Sequence, residues 1–129
     1  QITATYLSAD TNGVHVFIRN GFSQQNKKHV KILEIGMGTG LNILLTFLHS
    51  NKNSKIYYHA LEPYPLDESL QKKLNYCQLI NVDKEIFKKI HVSAWDEKIK
   101  LNENFILCKE KTKIENSKDS NKGNNKNQQ

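Results

Sequence analysis

The chain has 129 residues, of which 37% are hydrophobic and 25% are charged, and it carries a net charge of +6. This length suits one small domain, and the basic balance favours polyanionic partners such as RNA without fixing a function. No apolar run reaches the roughly 18 residues that a membrane span requires. The two cysteines form no Cys-x-x-Cys pair, which favours a reducing, cytoplasmic environment over a disulfide framework.

The first predicted elements surround a glycine-rich turn. An N-terminal element, residues 1–26, contains a short strand at residues 14–18, and a buried strand follows in the sequence KKHVKILEIG. After Gly40, leucines at positions 41, 44, 45 and 48 have the i, i+3, i+4, i+7 spacing of an amphipathic helix. The β-branched and aromatic stretch SKIYYHALE then predicts another strand, which closes at Glu62.

The second half of the chain predicts shorter elements. Asp67 is expected to cap a helix with one apolar face, made of Leu70, Leu74 and Cys77. Asp83 begins a second short helix, and a further strand is expected around residues 105–108. Residues 116–129 contain no large apolar side chain, so this tail is predicted to be disordered and to contribute little to folding. Strand, glycine turn, helix and strand together predict an α/β fold with a mostly parallel sheet.

Three glycines alternate where the buried strand ends. Gly36, Gly38 and Gly40 allow the backbone to take unusual dihedral angles and to pass close to a ligand. The helix that begins directly after them offers N–H donors in its first turn. In doubly wound folds nucleotides bind at this end of the strands, and a carboxylate such as Glu62 can accept both hydroxyls of a ribose. The turn therefore predicts a nucleotide-like ligand.

The spacing of the glycines separates two classes of nucleotide-binding protein. Dinucleotide folds carry Gly-x-Gly-x-x-Gly, whereas this chain has Gly-x-Gly-x-Gly preceded by Glu34. This disfavours an NAD-dependent oxidoreductase, which remains the third alternative. The pattern resembles the first motif of the Rossmann-like S-adenosylmethionine-dependent methyltransferases.

The surroundings of the motif are similar to the methyltransferase domain of the MnmC family, which modifies the wobble uridine of tRNA. The matching segments are HVFI at residues 15–18, LEIGMGTGLN at residues 33–42 and LEPYPL at residues 61–66. Their order along the chain is the order in that family. The Leu-Asn pair after the third glycine is the most distinctive part.

This resemblance implies methyl transfer from S-adenosylmethionine to the aminomethyl group of a tRNA wobble uridine. It makes residues 27–115 the cofactor-binding half of a methyltransferase domain. The implied cofactor-binding residues are Glu34, Gly36, Gly38, Thr39, Gly40, Asn42 and Glu62. His15 and Phe17 precede the loop on a predicted strand and are candidates for the substrate side. The histidines have no metal-ligand spacing, so no metal site is expected.

The chain also departs from the family. The family's Asp-Ala-Phe motif, which ends the fourth strand beside the methyl donor, does not occur in this sequence. The fold is therefore expected to be cut short after about three strands. The alternative function that follows is a remnant without turnover that binds S-adenosylmethionine or RNA.

Overall fold

The computed structural model describes residues 2–7, 29–50 and 54–117, which form an α/β fold around one five-stranded sheet. The strands are β1 (Ile2–Leu7), β2 (His29–Ile35), β3 (Lys55–Leu61), β4 (Lys98–Asn102) and β5 (Phe105–Glu110). The helices are α1 (Leu41–His49), α2 (Glu68–Gln71), α3 (Tyr76–Leu79) and α4 (Lys84–Val92). A short 3-10 helix follows at Ile114–Asn116.

The sheet is mostly parallel, with the strand order β1-β2-β3-β5-β4. Strands β1, β2, β3 and β5 run in the same direction, and β4 joins β5 as an antiparallel edge strand. The strands predicted on either side of the glycine turn are confirmed, as is the strand near residue 105. The described sheet exceeds the expected three strands, because β1 and β4 were not predicted. The strand predicted at residues 14–18 lies outside the described residues.

The hydrophobic core lies between the sheet and the helices α1 and α4, which contact each other. Every second residue of β2, β3 and β5 faces this core, as the alternation of a half-covered strand requires. The buried strand residues are Val30, Ile32, Ile56, Tyr58, Phe105 and Leu107, and the buried helix residues include Ile43, Leu44, Phe87 and Ile90. This packing holds the carboxyl ends of three parallel strands at one edge.

Helix α1 forms where the sequence predicts it, but it turns a different face to the core. Of the four leucines in the predicted stripe only Leu44 is fully buried, and Leu48 is 37% exposed. The buried positions are instead Asn42, Ile43, Leu44 and Thr46. The reason is a polar contact, because Asn42 donates a hydrogen bond to the buried carboxylate of Glu34 on β2. The spacing of apolar residues cannot predict that the buried face of a helix includes a polar residue such as Asn42.

The prediction of one continuous helix from Asp67 to Cys77 is wrong. Asp67 caps α2 as predicted, since its carboxylate accepts a hydrogen bond from the backbone N–H of Leu70. The helix ends after one turn, however, and α3 begins as a separate short helix at Tyr76. Leu70 is 44% exposed, whereas Cys77 is buried as predicted. One apolar face therefore does not extend through this segment.

The tail was predicted to be disordered from residue 116 onward, but the structure describes ordered chain through residue 117. Asn116 ends the 3-10 helix, and Ser117 is fully buried. The Ser117 hydroxyl donates a hydrogen bond to the carboxylate of Glu110 at 3.3 Å. This polar contact anchors Ser117 although residues 116 and 117 carry no large apolar side chain. Residues 118–129 lie outside the described residues.

A chain ending at residue 115 is expected to be less stable than a chain ending at residue 120. The shorter chain loses the Ser117 hydroxyl, and a hydrogen bond to a charged group contributes about 1.5–3 kcal/mol. Thermal unfolding followed by circular dichroism measures the difference. Ser117→Ala in the longer chain isolates the hydroxyl and should account for most of the loss. Equal melting temperatures of the two chains would show that this contact contributes nothing.

Candidate functional site

The glycine turn after β2 has an unusual backbone, as the sequence predicts. Gly36, Gly38 and Gly40 all lie in the left-handed region, with φ of 85°, 57° and 84°. A β-carbon added to Gly38 would meet no atom within 4 Å, so this side of the loop is open. A β-carbon on Gly40 would come within 3.2 Å of the His91 side chain. The loop is therefore open at its middle glycine and closely packed at its last.

The loop is tied to the end of β3 by hydrogen bonds. The backbone N–H groups of Gly36 and Met37 both donate to the carbonyl of Leu61, at 2.9 and 3.0 Å. The N–H of Gly38 donates to Oε1 of Glu62 at 2.8 Å. The other oxygen of the same carboxylate accepts the N–H of Tyr64 at 3.2 Å. Each carboxylate oxygen keeps a second lone pair for a ligand, in a direction that two backbone donors fix.

A pocket of about 350 Å³ opens at this edge of the sheet. Its walls come from the segments that follow β2, β3 and β5, which parallel strands bring to one edge. The lining residues are Ile35, Gly36, Leu61, Glu62, Pro63, Thr112, Lys113, Ile114 and Glu115. The volume lies at the lower end of the range for small-molecule sites, about 300–1,000 Å³. The pocket combines an apolar floor, a glycine backbone and an oriented carboxylate.

Glu34 is buried beneath the loop and does not line this pocket. It is fully buried on β2, and it accepts hydrogen bonds from Asn42 Nδ2 at 2.7 Å and from the Tyr58 hydroxyl at 3.0 Å. Burial raises the pKa of Glu34 to about 7, although both hydrogen bonds act in the opposite direction. The negative charge of Glu62 raises this pKa slightly further. The glutamate thus links β2, β3 and α1, and its carboxyl group titrates near pH 7.

Asn42 is the partner of Glu34 in this buried network. It is 3% exposed, and its Oδ1 has no hydrogen-bond partner within the described part of the chain. A buried carbonyl oxygen without a donor costs free energy. The hydrogen bond between Asn42 and Glu34 connects β2 to the start of α1, and neither residue lines the pocket.

His91 on α4 contacts the loop and was missed by the sequence reasoning. Its Nε2 donates to the carbonyl of Thr39 at 2.8 Å, and its ring meets the edge of Phe87 at a centroid distance of 4.7 Å. Burial lowers the pKa of His91, and the charge of Lys109 acts in the same direction. No local signal could have found this contact, because 52 positions separate His91 from Thr39.

The end of β5 carries two buried charged side chains on opposite faces of the sheet. Lys109 donates to the carbonyl of His91 at 3.0 Å, and its ammonium lies 4.6 Å from the ring centroid of Trp95. Burial lowers the pKa of Lys109 to about 8. On the other face, Glu110 pairs with His59 at 2.9 Å. These contacts fix the last strand that borders the pocket.

The structure brings together only some of the predicted cofactor-binding residues. Gly36 and Glu62 line the pocket, and Gly38 donates its N–H to Glu62. Thr39 and Gly40 contact His91 on α4. Glu34 and Asn42 are buried in the interior. His15 and Phe17 lie outside the described residues. The pocket wall after β5 was not predicted, although Glu110 ends its strand much as Glu62 follows β3.

A larger pocket of about 620 Å³ lies between the helices α2, α3 and α4. Its rim consists mainly of exposed lysine and other polar side chains, and Phe87 and Cys77 form part of its floor. It lacks the glycine backbone and the oriented carboxylate of the smaller pocket. We therefore place the candidate site at the smaller pocket.

In residues 2–7, 29–50 and 54–117 no group of three or more His, Cys, Asp or Glu side chains is arranged to hold a metal ion. None of the described helices has the length and apolar composition to cross a membrane.

Comparison of the chain with protein-family models, curated proteins and solved structures finds no match.

Proposed function

We propose that this chain is the cofactor-binding part of a methyltransferase with a Rossmann-like core. The proposed reaction transfers a methyl group from S-adenosylmethionine to the aminomethyl group of a tRNA wobble uridine. The observation that carries the proposal is the left-handed glycine loop, whose middle N–H is bound to Glu62 at the mouth of one pocket. The family resemblance of the sequence supplies the cofactor and the substrate.

The residues at the pocket fit the chemistry of this cofactor. The open side of Gly38 accepts close approach of the methionine part, which carries no pyrophosphate that the loop would have to grip. Glu62 retains lone pairs for the two ribose hydroxyls, and its carboxylate is already oriented by Gly38 and Tyr64. When bound, S-adenosylmethionine supplies a methyl group on a positively charged sulfonium.

The work of the chain's own residues is positioning and exclusion of water. The segment at residues 112–115 lines the pocket on the side where β5 ends. Alignment of a neutral amine with the methyl group supplies most of the rate enhancement expected for this reaction class.

One specific observation favours a second function. The sequence contains no Asp-Ala-Phe motif to hold the methyl acceptor, which supports a module that binds S-adenosylmethionine or RNA without turnover. Both functions share the cofactor site, so the same binding experiment supports them. An NAD-dependent oxidoreductase is disfavoured by the spacing of the glycines.

Calorimetry with S-adenosylmethionine, S-adenosylhomocysteine and NAD tests the cofactor class. We expect heat of binding with the first two and none with NAD. Incubation with methyl-labelled S-adenosylmethionine and tRNA that carries the aminomethyl uridine then separates the enzyme from the binding module. Binding of NAD alone would overturn the proposal.

Glu62→Ala is expected to weaken S-adenosylmethionine binding by about 1–3 kcal/mol, the scale of the cost of leaving a polar group without its hydrogen-bond partner. The variant removes the carboxylate that would accept the ribose hydroxyls, and it also releases the N–H of Gly38. Calorimetric dissociation constants of the wild type and the variant measure the loss.

An analogue of the cofactor without ribose hydroxyls separates these two effects. If Glu62 binds the ribose, the wild type should discriminate against the analogue and the variant should not. If both proteins lose equal affinity with the analogue, Glu62 acts only through the loop and the ribose assignment is wrong.

A further inference from the structure

The larger pocket, of about 620 Å³, is separate from the candidate cofactor site. The two pockets have no lining residue in common. One wall of the larger pocket is a single face of α4, whose lining residues have the spacing i, i+3, i+4, i+7 and i+8: Lys84, Phe87, Lys88, His91 and Val92. The opposite wall comes from residues between positions 68 and 78, in α2, the loop after it and the start of α3. The volume lies well within the range for small-molecule sites, about 300–1,000 Å³.

Positive charge collects around this pocket from both walls. Its lining includes four exposed lysines, which are Lys72, Lys73, Lys84 and Lys88. Glu68 is the acidic residue of the lining, and its carboxylate lies 3.3 Å from the ammonium of Lys72. The other three lysines form no ion pair with residues 2–7, 29–50 and 54–117. Asp83 and Glu85 are near in sequence but do not line the pocket, and the Asp83 carboxylate accepts the N–H of Glu85.

A solvated helix surface does not by itself explain this arrangement of charge. Lys84 and Lys88 are four positions apart on α4, and like charges at this spacing destabilise a helix. Lys84 is also in the first turn of α4, where the helix dipole disfavours positive charge. Lys72 and Lys73 add charge of the same sign from the opposite wall. An anion bound between the walls would offset all of these repulsions at once.

The floor of the pocket is apolar. Phe87 and Cys77 are buried there, and Leu74 beside them is half-buried. The Phe87 ring is fixed by edge-on contacts with the rings of Tyr76 and His91, at centroid distances of 6.0 and 4.7 Å. A ligand that matches this pocket therefore has an apolar part for the floor and negative charge for the rim.

We propose that this pocket binds a small organic phosphate monoester, with the phosphate among the lysine ammonium groups and the apolar body against Phe87 and Leu74. A phosphate monoester carries a charge of about −1.5 to −2 at pH 7 and three strong acceptor oxygens. It therefore matches lysines from two walls better than a carboxylate, which carries one negative charge. Lysine binds phosphate as a point charge and needs no fixed fork geometry. The site uses no residue that the proposed function assigns to the cofactor.

Phenyl phosphate is the probe, because it combines the charged and the apolar part in a small molecule. Calorimetry with the full chain at about pH 7.5, where the phosphate is mostly doubly charged, should show binding. Inorganic phosphate should bind about tenfold more weakly or worse, because it leaves the apolar floor in water. Benzoate should also bind about tenfold more weakly or worse, because it carries half the charge. No binding of phenyl phosphate would overturn the proposal, and equal affinity for inorganic phosphate would overturn the role of the floor.

A charge-matched pair of variants localises the phosphate. Lys84→Gln with Lys88→Gln should weaken binding of phenyl phosphate about tenfold or more, because two of the four positive charges of the rim are lost. Lys31→Gln with Lys55→Gln removes the same charge from exposed positions on β2 and β3 that do not line the pocket. This control should lose less than about twofold, by long-range attraction alone. Circular dichroism checks that both double variants fold, and equal losses of affinity in the two would overturn the proposal.

Nuclear magnetic resonance of the isotope-labelled chain identifies the pocket that is occupied. Titration with phenyl phosphate should shift the backbone amide signals of Gln78 and Lys88, which line the larger pocket, and leave those of Gly36 and Glu62 in place. Shifts at Gly36 and Glu62 alone would place the phosphate at the smaller pocket and overturn the proposal. Thr39 is not used as a reporter, because its carbonyl accepts a hydrogen bond from His91 in the lining.

Two further measurements separate this site from other occupants and from the cofactor site. Tighter binding of a phosphotyrosine peptide or of a 5′-phosphorylated oligonucleotide than of phenyl phosphate would overturn a small molecule as the occupant. Gly38→Val should bind phenyl phosphate like the wild type, since Gly38 does not line the larger pocket. Failure of the cofactor site and failure of the phosphate site are therefore seen in different experiments.

Discussion

Gly38→Val is expected to abolish binding of S-adenosylmethionine while the chain remains folded. The β-carbon of residue 38 points into open space, so valine meets no interior atom and instead fills the room above the loop. The backbone at this position has φ of 57°, a conformation that a β-branched residue resists. The strain costs about 1–3 kcal/mol, and its relief would move the N–H that Glu62 accepts. Calorimetry measures the loss of binding, and circular dichroism checks the fold.

Two further variants keep this test decisive. Gly38→Ala adds a smaller side chain in the same direction, and it should still weaken binding about tenfold, the size of a 1.4 kcal/mol loss. Asn81→Val places valine at a comparable φ of 55°, on an exposed residue after α3 that neither lines the pocket nor donates to Glu62. This variant should be destabilised similarly yet bind normally. Unchanged affinity in a folded Gly38→Val protein would exclude the loop as the cofactor site.

The part of the fold that sequence predicts well is the part that local patterns encode. The strand, glycine turn and helix at residues 29–49 carry a continuous apolar segment, three small residues and a helical period within about 20 positions. The left-handed backbone at the glycines follows from residue type alone. The loop was therefore found without knowledge of any tertiary contact.

The features that sequence misses depend on contacts between distant elements. Strand β4 has the sequence KIKLN, in which Leu101 is the one fully buried residue, and its partner β5 decides its conformation. The role of His91 depends on packing α4 against the loop 52 positions earlier. Propensity and periodicity describe one segment at a time, so such pairings remain hidden until the sheet is assembled.

The residues of the candidate site also fall into those that local sequence patterns identify and those whose role depends on tertiary packing. Gly36, Gly38 and Glu62 were identified from local patterns; Gly36 and Glu62 line the pocket, and Gly38 contacts Glu62 through its backbone N–H. Glu34 belongs to the same motif, yet alternation along β2 turns its side chain toward the core. Its place in the motif alone would suggest a solvated ligand group, whereas its burial makes it a structural acid with a pKa of about 7.

Glu34→Gln is expected to stabilise the protein at pH 8 by up to about 3 kcal/mol, the value of a pKa raised from 4.5 to about 7. Between these two pKa values the folded state binds a proton that the unfolded state has released. Stability therefore falls as the pH rises through this window, and above pH 7 the fold holds a buried, ionised carboxylate. Glutamine is neutral throughout, and after rotation of the Asn42 amide it can donate to the unpaired Oδ1.

Urea unfolding at several pH values measures the effect as a difference between the two proteins. This difference cancels the contributions of His91 and Lys109, whose pKa values are lowered and which stabilise the fold as the pH rises. Near pH 4.5 the proteins should be about equally stable, and the variant should gain steadily up to pH 8. Tyr58→Phe removes a donor that lowers the pKa of Glu34, so it should move the window to higher pH. Parallel curves for the wild type and Glu34→Gln would mean that the pKa of Glu34 is the same in the folded and unfolded states, so that the hydrogen bonds from Asn42 and Tyr58 fully offset its burial.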